Sequence, residues 1–209
     1  MRKVKIKDLI EFMNNQDSGL NNLLRIAIGH YYFAYIHPFY DGNGRTGRFI
    51  SSLYLRENFS EITALSLSRG CDINRTNYLK IFDITNKIIS RGELNYFVDE
   101  FLYTLIVGQE DLLLGLNEKI ELINIGHDKI KNDSNIETED ELDIMFILIQ
   151  DHYFSLDTKG ITVKDIMNAS GYSDVTVRRK LKSLENKGLI KRIKSNPLIY
   201  VLADGYLEN

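Results

Sequence analysis

Three features of the 209-residue sequence predict a mainly α-helical protein whose two ends are built differently. Only two prolines occur, Pro38 and Pro197, where average usage of about 5% leads one to expect roughly ten, so long helices are permitted. Apolar residues recur at helical spacing from the N-terminus to about residue 130. After residue 139, three helical patterns give way to two short β segments. With 44% hydrophobic and 26% charged residues, the composition excludes a disordered or collagen-like chain. The length allows one large domain or two small ones, each with its own core.

The elements are expected in the following order. Val4, Ile6, Leu9, Ile10 and Met13 form a short amphipathic helix that ends in Asn14, Asn15, Gln16 and Asp17. Leu20 to Ile36 is apolar nearly all round, as a helix at the centre of a bundle would be. It stops at His37, because Pro38 disfavours helical geometry in the residue before it. A third helix runs from about Gly44 to Asn58 with Phe49, Ile50, Leu53, Tyr54 and Leu55 inward, and a fourth covers Asp72 to Ser90. From Leu94 an apolar pattern continues to about Ile130 across Gly108, Gly115 and Gly126, as one long helix or two in sequence. Its leucines are core or dimer packing.

The polar stretch Lys131 to Glu139 is the expected boundary. Leu142 to Phe154 follows as a helix, then Val163 to Asn168 opened by Thr162, then Asp174 to Lys187 with Ser173 as N-cap and Gly188 as stop. Leu189 to Ile193 and Leu198 to Leu202 read as two strands around the turn residues Lys194, Ser195, Asn196 and Pro197. Three helices followed by a β-hairpin is the order of a winged helix-turn-helix domain.

No apolar run approaches the roughly 18 residues a membrane helix needs, so a soluble chain is expected. Cys71 is the only cysteine, which fits a reducing cytoplasm. The net charge of -3 conceals a segregation: Glu93 to Asp143 carries 14 acidic and 3 basic residues, whereas Asp174 to Asn196 carries 8 basic and 2 acidic. Thr176, Arg178, Arg179 and Lys182 on the last helix, with Lys191, Arg192 and Lys194 on the hairpin, form a candidate DNA-backbone surface. A solvated helix face or a protein contact is the alternative, since Asp140 to Asn209 balances 10 basic with 10 acidic residues.

The chemistry is concentrated at residues 37–48. Gly42, Gly44 and Gly47 match the dinucleotide pattern G-x-G-x-x-G, and Glu61 lies 19 residues beyond Gly42. That pattern requires a preceding strand, and here it follows a helix, so the dinucleotide reading fails. A glycine-rich turn entering a helix still presents free N–H groups and the positive end of the helix dipole to an anion. Arg45 and Arg48 rise from one face of the first helical turn and suit phosphate oxygens. His37 can take a proton from an attacking hydroxyl near neutral pH. Asp41 suits magnesium, which favours hard oxygen ligands shared with phosphates. Phe39 is expected to fill the core and anchor the loop.

The segment His37-Pro38-Phe39-Tyr40-Asp41-Gly42-Asn43-Gly44-Arg45-Thr46-Gly47-Arg48 resembles the Fic family signature HPFx(D/E)GNGRxxR at every specified position. The resemblance covers roughly residues 1–107, with 108–138 as helical connector and linker and 139–209 as winged helix. It implies an enzyme that transfers AMP from ATP, with Mg2+, to a Ser, Thr or Tyr hydroxyl of a target protein or of itself. His37 would be the base, Asp41 the magnesium ligand, and Gly42, Asn43 and Gly44 the anion hole. Arg45 and Arg48 would hold phosphates, Arg48 at the γ-phosphate; Thr46 and Gly47 belong to the same nucleotide-binding run. Asn77-Tyr78 lies where relatives often carry a tyrosine against the nucleotide, although Tyr78 also reads as a core aromatic. His30, His127 and His152 stand apart from the motif and read as structural or exposed.

Two family elements have no counterpart in the sequence: the β-hairpin flap that docks targets upstream of the motif, and the inhibitory motif (S/T)xxxE(G/N). The chain is then part of a longer protein, a partner supplies these elements, or target modification is impaired. A DNA-binding regulator whose Fic domain only senses nucleotide, and a Fic enzyme with another nucleotide donor, are the alternatives.

Overall fold

The computed structural model describes residues 2–15, 19–155 and 160–208. It is mainly helical, as expected, with one small antiparallel sheet near the C-terminus. The chain forms two compact units, Met1–Gly115 and Leu116–Asn209. The polar stretch expected as a linker is the end of a long helix and a loop inside the second unit.

In the first unit, α1 (Arg2–Asn14) packs on α2 (Asn22–Ile36), and α2 packs on α3 (Asn43–Asn58). Gln16 and Asp17, expected to close α1, lie outside the described residues. Asn21 caps α2 by accepting from the Leu23 N–H at 2.8 Å. Ile26, Ala27, Phe33 and Ile36 of α2 are buried with Leu55, Leu67, Ile81, Phe97 and Phe101. On α3 the inward face is Gly47, Ser51 and Leu55, whereas Phe49 is 64% exposed and Leu53 49%. Of the expected inward set, Leu55 is buried and Ile50 and Tyr54 pack against the core, whereas Phe49 and Leu53 do not, because α3 approaches α2 partly through small residues, which hydropathy does not mark.

The expected helix Asp72–Ser90 is also corrected. The chain forms α4 (Glu61–Ile73), breaks at Asn74, and continues as α5 (Arg75–Thr85) and a 3-10 turn at Ile88–Ser90. Ser60 caps α4 through the Thr63 N–H. The buried face of α4 is Ser66, Leu67, Gly70 and Cys71, again mostly small. One helix, α6 (Asn95–Asn132), replaces the alternative of two and runs through the boundary between the units. Gly108 does not break it but permits contact: a Cβ there would lie 2.0 Å from the Ser66 carbonyl oxygen of α4.

The second unit is the expected winged helix. Helix α7 (Glu139–Phe154) is capped by Thr138, α8 (Val163–Ser170) by Thr162 and α9 (Asp174–Asn186) by Ser173. Gly188, at φ 72°, turns the chain into β2 (Ile190–Ser195), which returns as β3 (Leu198–Leu202). Strand β2 therefore takes up Lys194 and Ser195, expected in the turn. A third strand, β1 (Ile161–Thr162), pairs with β3, so the sheet order is β1-β3-β2 rather than a two-stranded hairpin. The core joins Ile144, Met145, Leu148 and Ile149 to Ile166, Val177, Leu181 and Leu184. Glu141, buried at 3% exposure, accepts from Ser183 and Lys187 and ties α7 to α9.

Candidate functional site

The site begins where α2 ends. His37 has φ 50° and ψ 60°, in the left-handed region, while its N–H still donates to the Phe33 carbonyl at 3.1 Å. Pro38 removes the right-handed helical option from His37. Histidine tolerates the left-handed one better than most side chains, at a cost of about 1–3 kcal/mol. The result turns the chain sharply and leaves the imidazole exposed at the end of an otherwise buried helix.

Asn43 closes the loop that follows. Its Oδ1 accepts from the Phe39 N–H at 2.9 Å and its Nδ2 donates to the Phe39 carbonyl at 2.7 Å. Those two bonds anchor the loop, while the Phe39 ring stays 49% exposed beside Phe33 instead of filling the core. The Asn43 side chain is thus buried in loop structure, and what it can offer an anion is its backbone N–H.

Helix α3 starts at Gly42, at φ 83°, with no side chain capping it. Its first intrahelical donor is the Thr46 N–H, bonded to the Gly42 carbonyl at 2.9 Å. The N–H groups of Asn43, Gly44 and Arg45 therefore have no acceptor within the helix, and the dipole adds positive potential at the same place. A cavity of about 320 Å³ opens there, lined by His37, Tyr40, Asp41, Gly42, Asn43, Gly44, Arg45 and Arg48. The predicted base, carboxylate, glycine turn and both arginines thus share one concave surface. Arg45 meets Asp41 at 3.2 Å with both side chains mostly exposed, a pairing weak enough for an incoming phosphate to displace.

A second cavity, about 620 Å³, shares Arg48 with the first and is also lined by Ser68, Arg69, Cys71, Arg75, Tyr78, Leu79 and Leu112. Arg69 is committed to Asp111, at 2.6 Å from Nε and 3.1 Å from Nη2. Tyr78 borders this cavity yet is only 4% exposed, its hydroxyl 2.7 Å from His30 Nε2. Thr46 and Gly47 lie elsewhere. They line an apolar cavity of about 330 Å³ between α1, α2 and α3, where a Cβ on Gly47 would come within 3.1 Å of the Phe33 ring.

Among the described residues no three His, Cys, Asp or Glu side chains converge as a metal cage. A single exposed carboxylate at an anion site, Asp41, nevertheless fits magnesium, which is commonly held by one or two carboxylates together with substrate phosphates.

Sequence reasoning read His30 only as structural or exposed and did not single out Ser51. His30 is buried, with Nδ1 2.8 Å from Ser51 Oγ, and burial pushes its pKa down to about 4. It stands seven residues before His37, two turns along the same helix. A titratable ring in an apolar helix, opposite small residues four apart on α3, was the available signal.

In the winged helix, Arg178 is held by Asp174 at 2.8 Å, Lys191 by Asp204 at 2.5 Å, and Arg192 lies 3.9 Å from Glu185. Arg179, Lys182 and Lys194 are exposed with no carboxylate partner among the described residues, and Thr176 is half-buried, its hydroxyl 3.0 Å from Ser173 Oγ.

Parts of the chain are similar to known proteins. Residues 2–55 match the Fic/DOC family, and residues 153–205 match the sugar-specific transcriptional regulator TrmB. Over 52 residues the chain is 36% identical to protein adenylyltransferase fic-1 of Caenorhabditis elegans and 35% identical to that of Caenorhabditis briggsae. Each match spans 24% of this chain and only 10% of the relative. The crystal structure of a Fic family protein from Desulfovibrio desulfuricans G20 superposes with a TM-score of 0.51 at 20% identity, covering 97% of this chain and 55% of that one. Residues 2–55 are thus similar to the Fic/DOC family and residues 153–205 to TrmB, and the fold is similar to that of a Fic family protein.

Proposed function

We propose that the chain is a Fic-type adenylyltransferase that moves AMP from ATP to a protein hydroxyl. The observation that carries this reading is the single cavity into which His37, Asp41, the uncapped start of α3, Arg45 and Arg48 all face. In the step, the hydroxyl oxygen bonds to the α-phosphorus and the bond from that phosphorus to the pyrophosphate oxygen breaks. His37 takes the hydroxyl proton and pyrophosphate leaves. Such an in-line displacement needs positioning and charge neutralisation rather than a covalent enzyme intermediate. The N–H groups of Gly44 and Arg45 suit the α-phosphate, Arg45 and Arg48 the phosphates beyond it. Asp41 would hold Mg2+, which supplies further neutralisation when bound.

His37→Ala is expected to abolish transfer while leaving ATP binding, measured by titration calorimetry, within about threefold. Transfer that survives in His37→Ala would refute the role of that residue. The same titration run with other nucleotides identifies the donor, since the motif reads phosphates far more than the base.

A second reading, that the winged helix binds DNA, is favoured by the exposed Arg179, Lys182 and Lys194 and by the match to a transcriptional regulator. The two readings are compatible in one chain. DNA binding without any transfer would favour a regulator in which the Fic segment only senses nucleotide. A cytoplasmic setting suits both; among the described residues no helix is long and apolar enough to cross a membrane.

A further inference from the structure

We infer that Tyr78 is a positioning residue for Arg48, and that buried His30 sets the direction of the Tyr78 hydroxyl so that its oxygen faces the guanidinium. The inference rests on the proposed reading of Arg48 as a phosphate ligand. It starts from a contrast between the two arginines of the motif. Arg45 is paired with a carboxylate, Asp41. Arg48 has no carboxylate partner among the described residues, is half-buried, and sits between the loop cavity and its neighbour. One end of it, Nη1, lies over Gly44, 3.6 Å from where a Cβ would be. The guanidinium also lies against the Tyr78 hydroxyl.

The polarity of this chain of contacts follows from chemistry. His30 is buried with no acid beside it among the described residues and with the Arg48 charge nearby, so its ring is neutral, with one N–H and one bare nitrogen. Its Nδ1 faces α3, where Ser51 Oγ lies at 2.8 Å and the Gly47 carbonyl also meets the ring. A carbonyl can only accept, so the ring proton belongs on Nδ1. Nε2 is then the acceptor, and the Tyr78 hydroxyl 2.7 Å away must donate to it. Burial keeps that hydroxyl protonated. With its only hydrogen spent on His30, the tyrosine oxygen can do nothing but accept, and the donors beside it are Arg48 and the Cys71 thiol. A neutral acceptor orients the guanidinium without cancelling its charge, which a carboxylate in the same place would do. Gly47, inside the motif, thereby acts through its carbonyl on a residue well outside it.

The test is a double-mutant cycle on the full chain, read by calorimetric titration with ATP and with AMP in the presence of magnesium. Tyr78→Phe, which removes only the hydroxyl oxygen, is expected to weaken ATP binding about tenfold and AMP binding less than about twofold. In an Arg48→Ala background the same change should cost ATP affinity less than about twofold, because its target is gone. Loss of ATP affinity equal in both backgrounds, loss equal for ATP and AMP, or no loss at all would overturn the inference. His30→Leu is expected to reproduce the Tyr78→Phe pattern, and unchanged ATP affinity in it would remove His30 from the chain of contacts. If Arg48→Ala itself binds ATP as tightly as the native chain, the phosphate reading of Arg48 fails first, a result distinct from failure of the Tyr78 contact alone.

Discussion

His37 shows what the motif costs the fold. A non-glycine residue at φ 50° carries strain that glycine would not. His37→Gly is therefore expected to raise stability by about 0.5–1 kcal/mol in urea denaturation while losing transfer; a drop in stability would mean that the imidazole supports the fold. His30 makes the opposite contribution. Its pKa is held near 4 in the folded chain against an ordinary 6.5, mainly by burial. The unfolded chain thus binds the extra proton first as pH falls, so this stabilisation is complete above about pH 6.5 and lost towards pH 4, roughly 3 kcal/mol in all. His30→Gln should flatten that part of the stability curve, and an unchanged slope would show that His30 is not the titrating group. The reactive half of the site was legible because its residues are contiguous, from His37 to Arg48. The supporting half was not, since His30, Ser51 and Tyr78 meet only when three helices pack.

Between the helices of the first unit, small residues decide what hydropathy cannot. Gly70 on α4 faces α6 so closely that a Cβ would lie 1.9 Å from the Thr104 carbonyl oxygen, and Gly108 returns the contact against Ser66. Gly70→Ala must push two backbones apart and is expected to cost at least about 2–3 kcal/mol. Gly115, in the same long helix as Gly108, has nothing among the described residues within 4 Å of where a Cβ would stand. Gly115→Ala should instead stabilise by about 0.5–1 kcal/mol through helix propensity. Thermal melts of the two variants moving in the same direction would contradict this account of α4 and α6. These contacts also explain the unpredicted α4. Its buried face is Ser66, Leu67, Gly70 and Cys71, with a single large aliphatic residue to reveal a helical period. The winged helix was easier to read because Thr162, Ser173 and Gly188 punctuate it as caps and stop. Strand β1 escaped notice because two residues, Ile161 and Thr162, leave no period at all.

At the scale of the whole molecule, one chain joins a segment similar to Fic proteins to a domain with a local basic face, although its net charge is -3. Binding of the basic face to duplex DNA should weaken steeply with salt. Replacing Arg179, Lys182 and Lys194 together by Gln is expected to lower the slope of log affinity against log salt by about 3, and an unchanged slope would exclude these residues as phosphate contacts. The matched segment is about a tenth of the adenylyltransferase relatives, so the activity of this chain has to be measured on the chain itself. The most direct measurement incubates it, alone and with a lysate, with magnesium and ATP labelled at the α-phosphate in one sample and the γ-phosphate in another. A site built around His37 and the α3 N-terminus should place the α label on protein, leave the γ label in released pyrophosphate, and do neither in His37→Ala. Protein labelled from the γ-phosphate, or labelled equally by the His37→Ala chain, would contradict it.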